Sequence, residues 1–244
     1  MYIVKFLQII EFEDVDNDGN FSSNIDTKLA IAQLLRADVN WNITAETLKG
    51  PDDSTELRIT MNARVPVENI GPGKIVGYVN VTFVNHIYDH DVEVNGYVVE
   101  GNKELKIDVI IENWPWSNSD SKLALGIIFA GHFRGHHGIP ELEHHRVRER
   151  VKEIRMHGEK STFDGAFRYR EEVRIQNGEE RIKHVNASEE FGMNQAILYL
   201  VYPHFEGKLV HDPSILVLKK EDIWSVINAY MYYIIGGLFI ITMM

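Results

Sequence analysis

Glu56-Leu57-Arg58-Ile59-Thr60-Met61-Asn62-Ala63 puts an apolar side chain at every second position and a polar or charged one between them. An extended chain sends successive side chains to opposite faces, whereas a helix would spread these four apolar residues over two sides. The octet therefore reads as a strand with one face in a core and the other in water. The same alternation recurs in Leu105, Ile107, Val109 and Ile111 around Lys106 and Asp108. It recurs again in Phe167, Tyr169, Val173 and Ile175 among Arg168, Arg170, Glu172 and Arg174. Further strand candidates are residues 2–12, 37–48, 74–85, 92–99, 122–130 and 195–203, with Ala196 to Val201 apolar on both faces and so placed centrally. Residues 140–156 admit two readings: Pro140 could open a helix in which Val147, Val151 and Ile154 recur at helical spacing, or the segment is another strand. Many strands parted by Asn, Asp, Gly and Pro turns predict an all-β fold, a large antiparallel β-sandwich filling residues 1–218 as one domain.

After a short juxtamembrane stretch, 219–222, the chain from Ile223 to Met244 carries no charged residue. Twenty-two helical residues rise about 33 Å, enough to cross a bilayer core. Trp224, Tyr230, Tyr232 and Tyr233 stand where amphipathic rings favour the headgroup level, and Lys219, Lys220, Glu221 and Asp222 mark the water side. These residues predict one C-terminal transmembrane helix and a single-pass membrane protein; the alternative is a buried terminal helix of the globular domain. The apolar start, Met1 to Phe12, is broken by Lys5, Gln8 and Glu11 and is followed by no small-residue cleavage site, so it reads as a first strand rather than a signal peptide. Any export signal is expected upstream of it.

The strongest local motif is Asp14-Val15-Asp16-Asn17-Asp18-Gly19-Asn20, with Asp26 twelve residues after Asp14. Alternate acidic residues in a tightly curled loop aim oxygens at one point, and Gly permits the turn, which is the donor set a hard Ca²⁺ ion requires. The expected ligands are the side chains of Asp14, Asp16 and Asp18, the backbone carbonyl of Asn20, and Asp26 as the distal acid. The distal acid sits one place later than in an EF-hand, and strand patterns flank the loop. The alternative is an Asp/Asn/Gly turn without metal.

Four Asn-x-Ser/Thr sequons, at Asn20, Asn42, Asn80 and Asn186, favour an extracytoplasmic domain and a glycoprotein, as does the millimolar calcium outside cells. A net charge of −11 argues against a nucleic-acid partner, which needs a concentrated basic surface. The absence of cysteine removes disulfides, thiolate zinc sites and thiol catalysis.

Six of the 11 histidines, His132, His136, His137, His144, His145 and His157, bunch together near Glu141 and Glu143. Imidazoles and carboxylates of this kind ligate transition metals, but the spacing matches no established site and a polar surface loop or helix cap accounts for it better. His86, Asp89, His90 and Asp91 form a second group at a turn. Trp114-Pro115-Trp116 reads either as an exposed platform for sugar stacking or as aromatic packing that closes the end of the fold.

The run from Lys5-Phe6-Leu7 to Glu13, the Asp-rich loop, Lys106-Ile107-Asp108-Val109, Lys122-Leu123-Ala124-Leu125, and Tyr202-Pro203 followed by Leu209-Val210-His211-Asp212-Pro213 together resemble a family of uncharacterised, membrane-anchored surface proteins of archaea and some microbial eukaryotes. The resemblance spans most of the chain and carries no activity; it implies a signal peptide and a basic tail, and the His-rich segment fits no part of it. The resulting expectation is a calcium-stabilised surface β-sandwich at the cell membrane, acting in adhesion, envelope structure or binding, with a glycan or surface protein as partner. The rival expectation is a hydrolase, metal-dependent through the His-rich segment or carbohydrate-active through Trp114 and Trp116.

Overall fold

The computed structural model describes residues 2–71, 73–94, 96–133, 136–138, 141–157, 165–191 and 195–217. The fold is all-β. The strands are β1 (Tyr2–Glu13), β2 (Thr27–Gln33), β3 (Asn42–Lys49), β4 (Thr55–Asn69), β5 (Ile75–Tyr88), β6 (Val92–Val94) and β7 (Tyr97–Val99). There follow β8 (Glu104–Glu112), β9 (Lys122–Phe133), β10 (His136–Gly138), β11 (Glu141–Arg148), β12 (Val151–His157) and β13 (Gly165–Arg170). The last are β14 (Glu172–Asn177), β15 (Glu179–His184), β16 (Asn186–Phe191), β17 (Ala196–Tyr202), β18 (Lys208–His211) and β19 (Ser214–Val217). A single 3₁₀ turn, Pro51–Asp53, separates β3 from β4.

The opening octet lies in β4, which pairs with β5 over most of its length and puts Ile59, Met61, Ala63, Val65 and Val67 into the core. The segment with two readings is a hairpin of β11 and β12, turning at Glu149–Arg150 with Arg150 in the left-handed region at φ 62°. The helical spacing there was coincidental, since Val147 is largely exposed. The candidate strand 92–99 is instead a tight two-stranded hairpin, and of the candidate 37–48 only residues 42–48 lie in a strand, which runs on to Lys49.

All ladders are antiparallel. They run β16–β17–β9–β1–β2–β4–β5–β8, with β10 added on β9 and β3 on β4. At β8 the path forks: one half of that strand continues through β18, β14 and β15, the other through β19, β13, β12 and β11. β2 meets β4 over a short stretch only, at Ala30 opposite Asn69 and Ile31 opposite Glu68. The sheet thereby comes round on itself like a barrel over one main core. Phe6 of β1 meets Phe83 of β5 with ring centroids 4.7 Å apart, and Phe129 of β9 meets Phe167 of β13 at 5.5 Å. Each of these four buried rings contributes about 2–3 kcal/mol by leaving water.

The registers put the loop 14–26, the β4–β5 turn, the loop 113–121 and residues 203–207 at one end of this sheet. Val217, opposite Gly165, lies at the other. Among the described residues no helix is long and apolar enough to cross a membrane, and the expected span 223–244 lies outside the described residues.

Candidate metal centre

Between β1 and β2 the loop 14–26 curls so that one carboxylate oxygen from each of Asp14, Asp16 and Asp18 lies within 4.8 Å of the others. Two residues make the curl possible by taking positive φ, Asn17 at 57° and Gly19 at 84°. The carboxylates organise the backbone between them. Asp14 Oδ2 accepts the Gly19 N–H at 3.0 Å, and Asp18 Oδ1 accepts the Asn20 N–H at 2.7 Å. Asp26 braces the loop from its far end, taking the Val15 N–H on Oδ1 at 3.0 Å and the Ser22 N–H on Oδ2 at 2.6 Å. Of the five residues that the motif nominated, the structure brings together the three alternate aspartates, while Asp26 spends both oxygens on backbone amides.

The loop is fastened to the sheet rather than projecting from it. Phe21 is buried with its ring centroid 4.9 Å from that of Phe12 and 4.6 Å from that of Tyr199, forming a small apolar cluster on the outer face of β1, β9 and β17. Beside it, β16 presents alternate polar residues. Asn186 Nδ2 donates to the Gly19 carbonyl at 2.8 Å, Ser188 Oγ donates to the Phe21 carbonyl at 2.6 Å and accepts the Phe21 N–H at 3.3 Å, and Glu190 accepts the Ser23 N–H at 2.6 Å. Period-two polarity at 186, 188 and 190 is the sequence signal for this contact; the sequon reading of Asn186-Ala187-Ser188 hid it, because both of its polar groups are spent on the loop. Asn20 also uses its amide internally, donating to Asp18 Oδ2 at 3.1 Å, whereas Asn42 and Asn80 are exposed. A Cβ at Gly19 would stand 2.4 Å from Asn186 Nδ2. Gly19→Ala is accordingly expected to cost about 1–3 kcal/mol through left-handed strain alone, with the clash loosening the loop from β16; thermal melts and amide exchange at residues 19–23 would show it.

The donor set consists of hard oxygens, which suits Ca²⁺ or Mg²⁺ over softer metals. Asp14 Oδ1 is buried without a hydrogen-bond partner on a side chain only 7% exposed, an acceptor the fold leaves available. The other oxygen of Asp14 receives Lys122 Nζ at 2.6 Å. Burial would raise the Asp14 carboxyl, but the Lys122 ammonium, the Gly19 amide and Asp16 together hold it below its ordinary value. Lys122 is thus a protein cation already resting at the edge of the cluster.

The other nominated groups do not assemble as the sequence grouped them. Asp89 and His90 form an exposed pair at 2.7 Å, and Asp91 Oδ1 accepts the Gly101 N–H at 2.9 Å. His86 turns the other way, held between Glu56 at 2.7 Å and Asp108 at 3.3 Å, with Lys106 on Asp108 and Arg58 on Glu56. Burial opposes ionisation of Asp108, yet His86 and Lys106 bring its carboxyl down to about 2. Two acids, two bases and a histidine form a balanced patch on the outer face of β4, β5 and β8. In the His-rich segment, His144 bonds Glu189 and His145 bonds Glu143, at 3.2 and 3.3 Å; nothing is described for the side chains of His132, His136, His137 and His157.

Trp114 is buried rather than an exposed platform, its Nε1 donating to Glu11 at 3.1 Å. Trp116 is half-buried, packed on His204 with ring centroids 4.1 Å apart and donating to the Phe205 carbonyl at 2.8 Å. The pair closes the end of the fold. No family model matches this chain, and no curated protein matches it.

Proposed function

We propose that the chain is a calcium-stapled β-sandwich domain held at the outer face of a membrane by residues 223–244, working as a binding, adhesion or envelope-structural module. One observation carries this reading: three alternate aspartates converge in a loop that is pinned to β1, β9 and β16, with a buried Asp14 oxygen left without a partner. A cation there would neutralise the cluster and tie the loop to the sheet, which is stapling rather than chemistry. Asp14, Asp16 and Asp18 are its side-chain ligands, Asn20 supplies a carbonyl, and Asp26 shapes the loop around them. The Phe6–Phe83 and Phe129–Phe167 contacts support the two-layered reading of the fold. With the anchor following Val217, the loop stands at the far end of the domain, roughly 30–40 Å away at 3.3 Å per strand residue. Carbohydrate, if attached, belongs on Asn42 and Asn80.

Calcium titration of the full chain in detergent tests this reading. One ion per chain is expected, with the unfolding free energy rising by about 2.7 kcal/mol at a hundredfold excess over Kd, and binding lost in Asp16→Ala and Asp18→Ala. Lys122→Met should tighten binding by removing the competing ammonium. A chain that ignores calcium but takes up stoichiometric zinc or copper would overturn the reading in favour of the histidines.

A further inference from the structure

Where the sheet comes round on itself, two of its edge strands meet without pairing. β11 pairs only with β12 and β16 only with β17, so each has one unladdered edge among the described residues, and the two edges face one another. A cleft of about 380 Å³ runs between them, walled by His144, His145 and Arg146 on one side and Ala187, Ser188 and Glu189 on the other. Tyr169 and Leu198 form its floor. Three consecutive residues line each wall, so backbone edges, and not one face of a strand, border the gap. The His144–Glu189 hydrogen bond at 3.2 Å straps the two sides together. One strand between two others takes up two ladder spacings, about 10 Å, a span that a histidine and a glutamate bonded end to end can bridge.

We propose that this cleft receives an extended peptide segment of a partner protein, which completes the sheet by pairing with β11 and β16 at once. An extended residue fills roughly 160 Å³ of a packed sheet, from the strand rise, the ladder spacing and the sheet thickness, so the cleft holds two to three residues. Unpaired backbone groups on both walls match a peptide backbone better than they match a small solute, and strand addition is an established way to satisfy them. Because β11 and β16 run antiparallel to each other, the incoming strand lies parallel to one and antiparallel to the other. Its inward side chain meets Leu198, Ala187 and the ring of Tyr169, so an apolar residue is expected there. The flanking residues meet Arg146 and Lys152 at the rim, which share Glu171 at 3.5 and 2.8 Å. Glu189 Oε1, buried and 3.2 Å from His144 Nε2 without a hydrogen bond of its own, offers an acceptor to the peptide.

The inference deepens the binding-module reading by naming the partner's chemistry, and it requires no metal. The probe is a displayed library of random nine-residue peptides, selected on the full chain in detergent with and without calcium. Enriched peptides should slow amide exchange in 143–147 and 186–190. Adjacent residues of a strand aim their N–H groups at opposite edges, so N-methylation at each of two consecutive positions should weaken binding at least tenfold. Sensitivity at alternate positions only would mean docking on a single edge and would overturn the proposal, as would protection elsewhere or no enriched peptide. Peptide binding without a calcium response would sink the metal reading and leave this one standing; a calcium response without peptide binding would do the reverse.

Discussion

Glu11→Ala should lower the unfolding free energy by about 3–5 kcal/mol, the largest loss expected from any single truncation discussed for this chain. Glu11 points from β1 into the mouth of the core and is completely buried. Its carboxylate accepts from Trp114 Nε1 at 3.1 Å, the Ser117 N–H at 2.7 Å, Ser117 Oγ at 3.0 Å, the Asn118 N–H at 3.3 Å and Ser121 Oγ at 2.7 Å. These donors come from the loop that joins β8 to β9, so one acceptor group folds the whole lid at this end of the sheet. Alanine would leave four of them without an acceptor, since only Ser121 Oγ keeps another, the Asn118 carbonyl at 2.7 Å; each orphaned donor costs about 1–3 kcal/mol, with water refilling the space and capping the sum. Glu11→Gln keeps one acceptor oxygen but sets an NH₂ against donors, and should cost about half as much. Urea titration followed by tryptophan fluorescence reads both effects, because Trp114 loses its partner as the lid loosens. An alanine variant within 1 kcal/mol of the parent would refute this role for Glu11.

The strands most legible in the sequence were those with one face in the core and one in water. In β4, β8 and β13 the period-two pattern is written directly, because each sends alternate apolar residues into the core. β15 hid for the opposite reason: it pairs only with β14 and every residue from Glu179 to His184 is exposed, so no apolar period exists to read. Its charges suit an unprotected edge. β18 and β19 are four residues each, interrupted at Asp212-Pro213 where proline cannot donate to the ladder, and a run that short gives no periodicity. Trp114 carried the wrong emphasis because tryptophan reads alike in a platform and in a plug; what decides is Glu11, 103 residues earlier.

The acidic loop was legible because its chemistry is local, three aspartates at alternate positions around a glycine. What holds that loop was not. Lys122 lies 108 residues from Asp14, and Asn186, Ser188 and Glu190 lie 167 residues from their partners Gly19, Phe21 and Ser23. Such contacts depend on which strands become neighbours, which no local pattern specifies. The cleft between β11 and β16 belongs to the same class, since it exists only where a pairing path of many strands comes round on itself.

The folded state should weaken by about 3 kcal/mol as pH falls from 6.5 towards 4, and His211 is the cause. His211 is buried in β18, its Nε2–H donating to the Arg170 carbonyl at 2.8 Å and its Nδ1 accepting from the Tyr202 hydroxyl at 3.0 Å. Both bonds are made by the neutral ring. Desolvation brings its pKa down to about 4 from the ordinary 6.5; the hydrogen bond to the Arg170 carbonyl and the Asp212 charge oppose the depression, and the Arg170 charge adds to it. Between those two values the unfolded chain takes up a proton that the folded chain refuses, so the unfolded state binds more protons and stability rises with pH. The contribution is complete above 6.5 and lost as pH drops through the window. Paired carboxylates such as Glu56, Glu153 and Glu171, held below their ordinary values, add acid sensitivity only below about 4.5, where unfolded carboxyls titrate. Glu104 works against the trend: burial raises its carboxyl, so protonation favours the folded state. The variant that separates these effects is His211→Gln, which can keep an acceptor for Tyr202 and a donor for Arg170 without a titrating ring. Urea titrations at half-unit steps from pH 7.5 to 4.5 should give a sloping parent and a nearly level variant across the upper part of that range. Equal slopes would mean that the histidine takes up its proton as readily when folded as when unfolded, and that the acid sensitivity of this fold lies elsewhere.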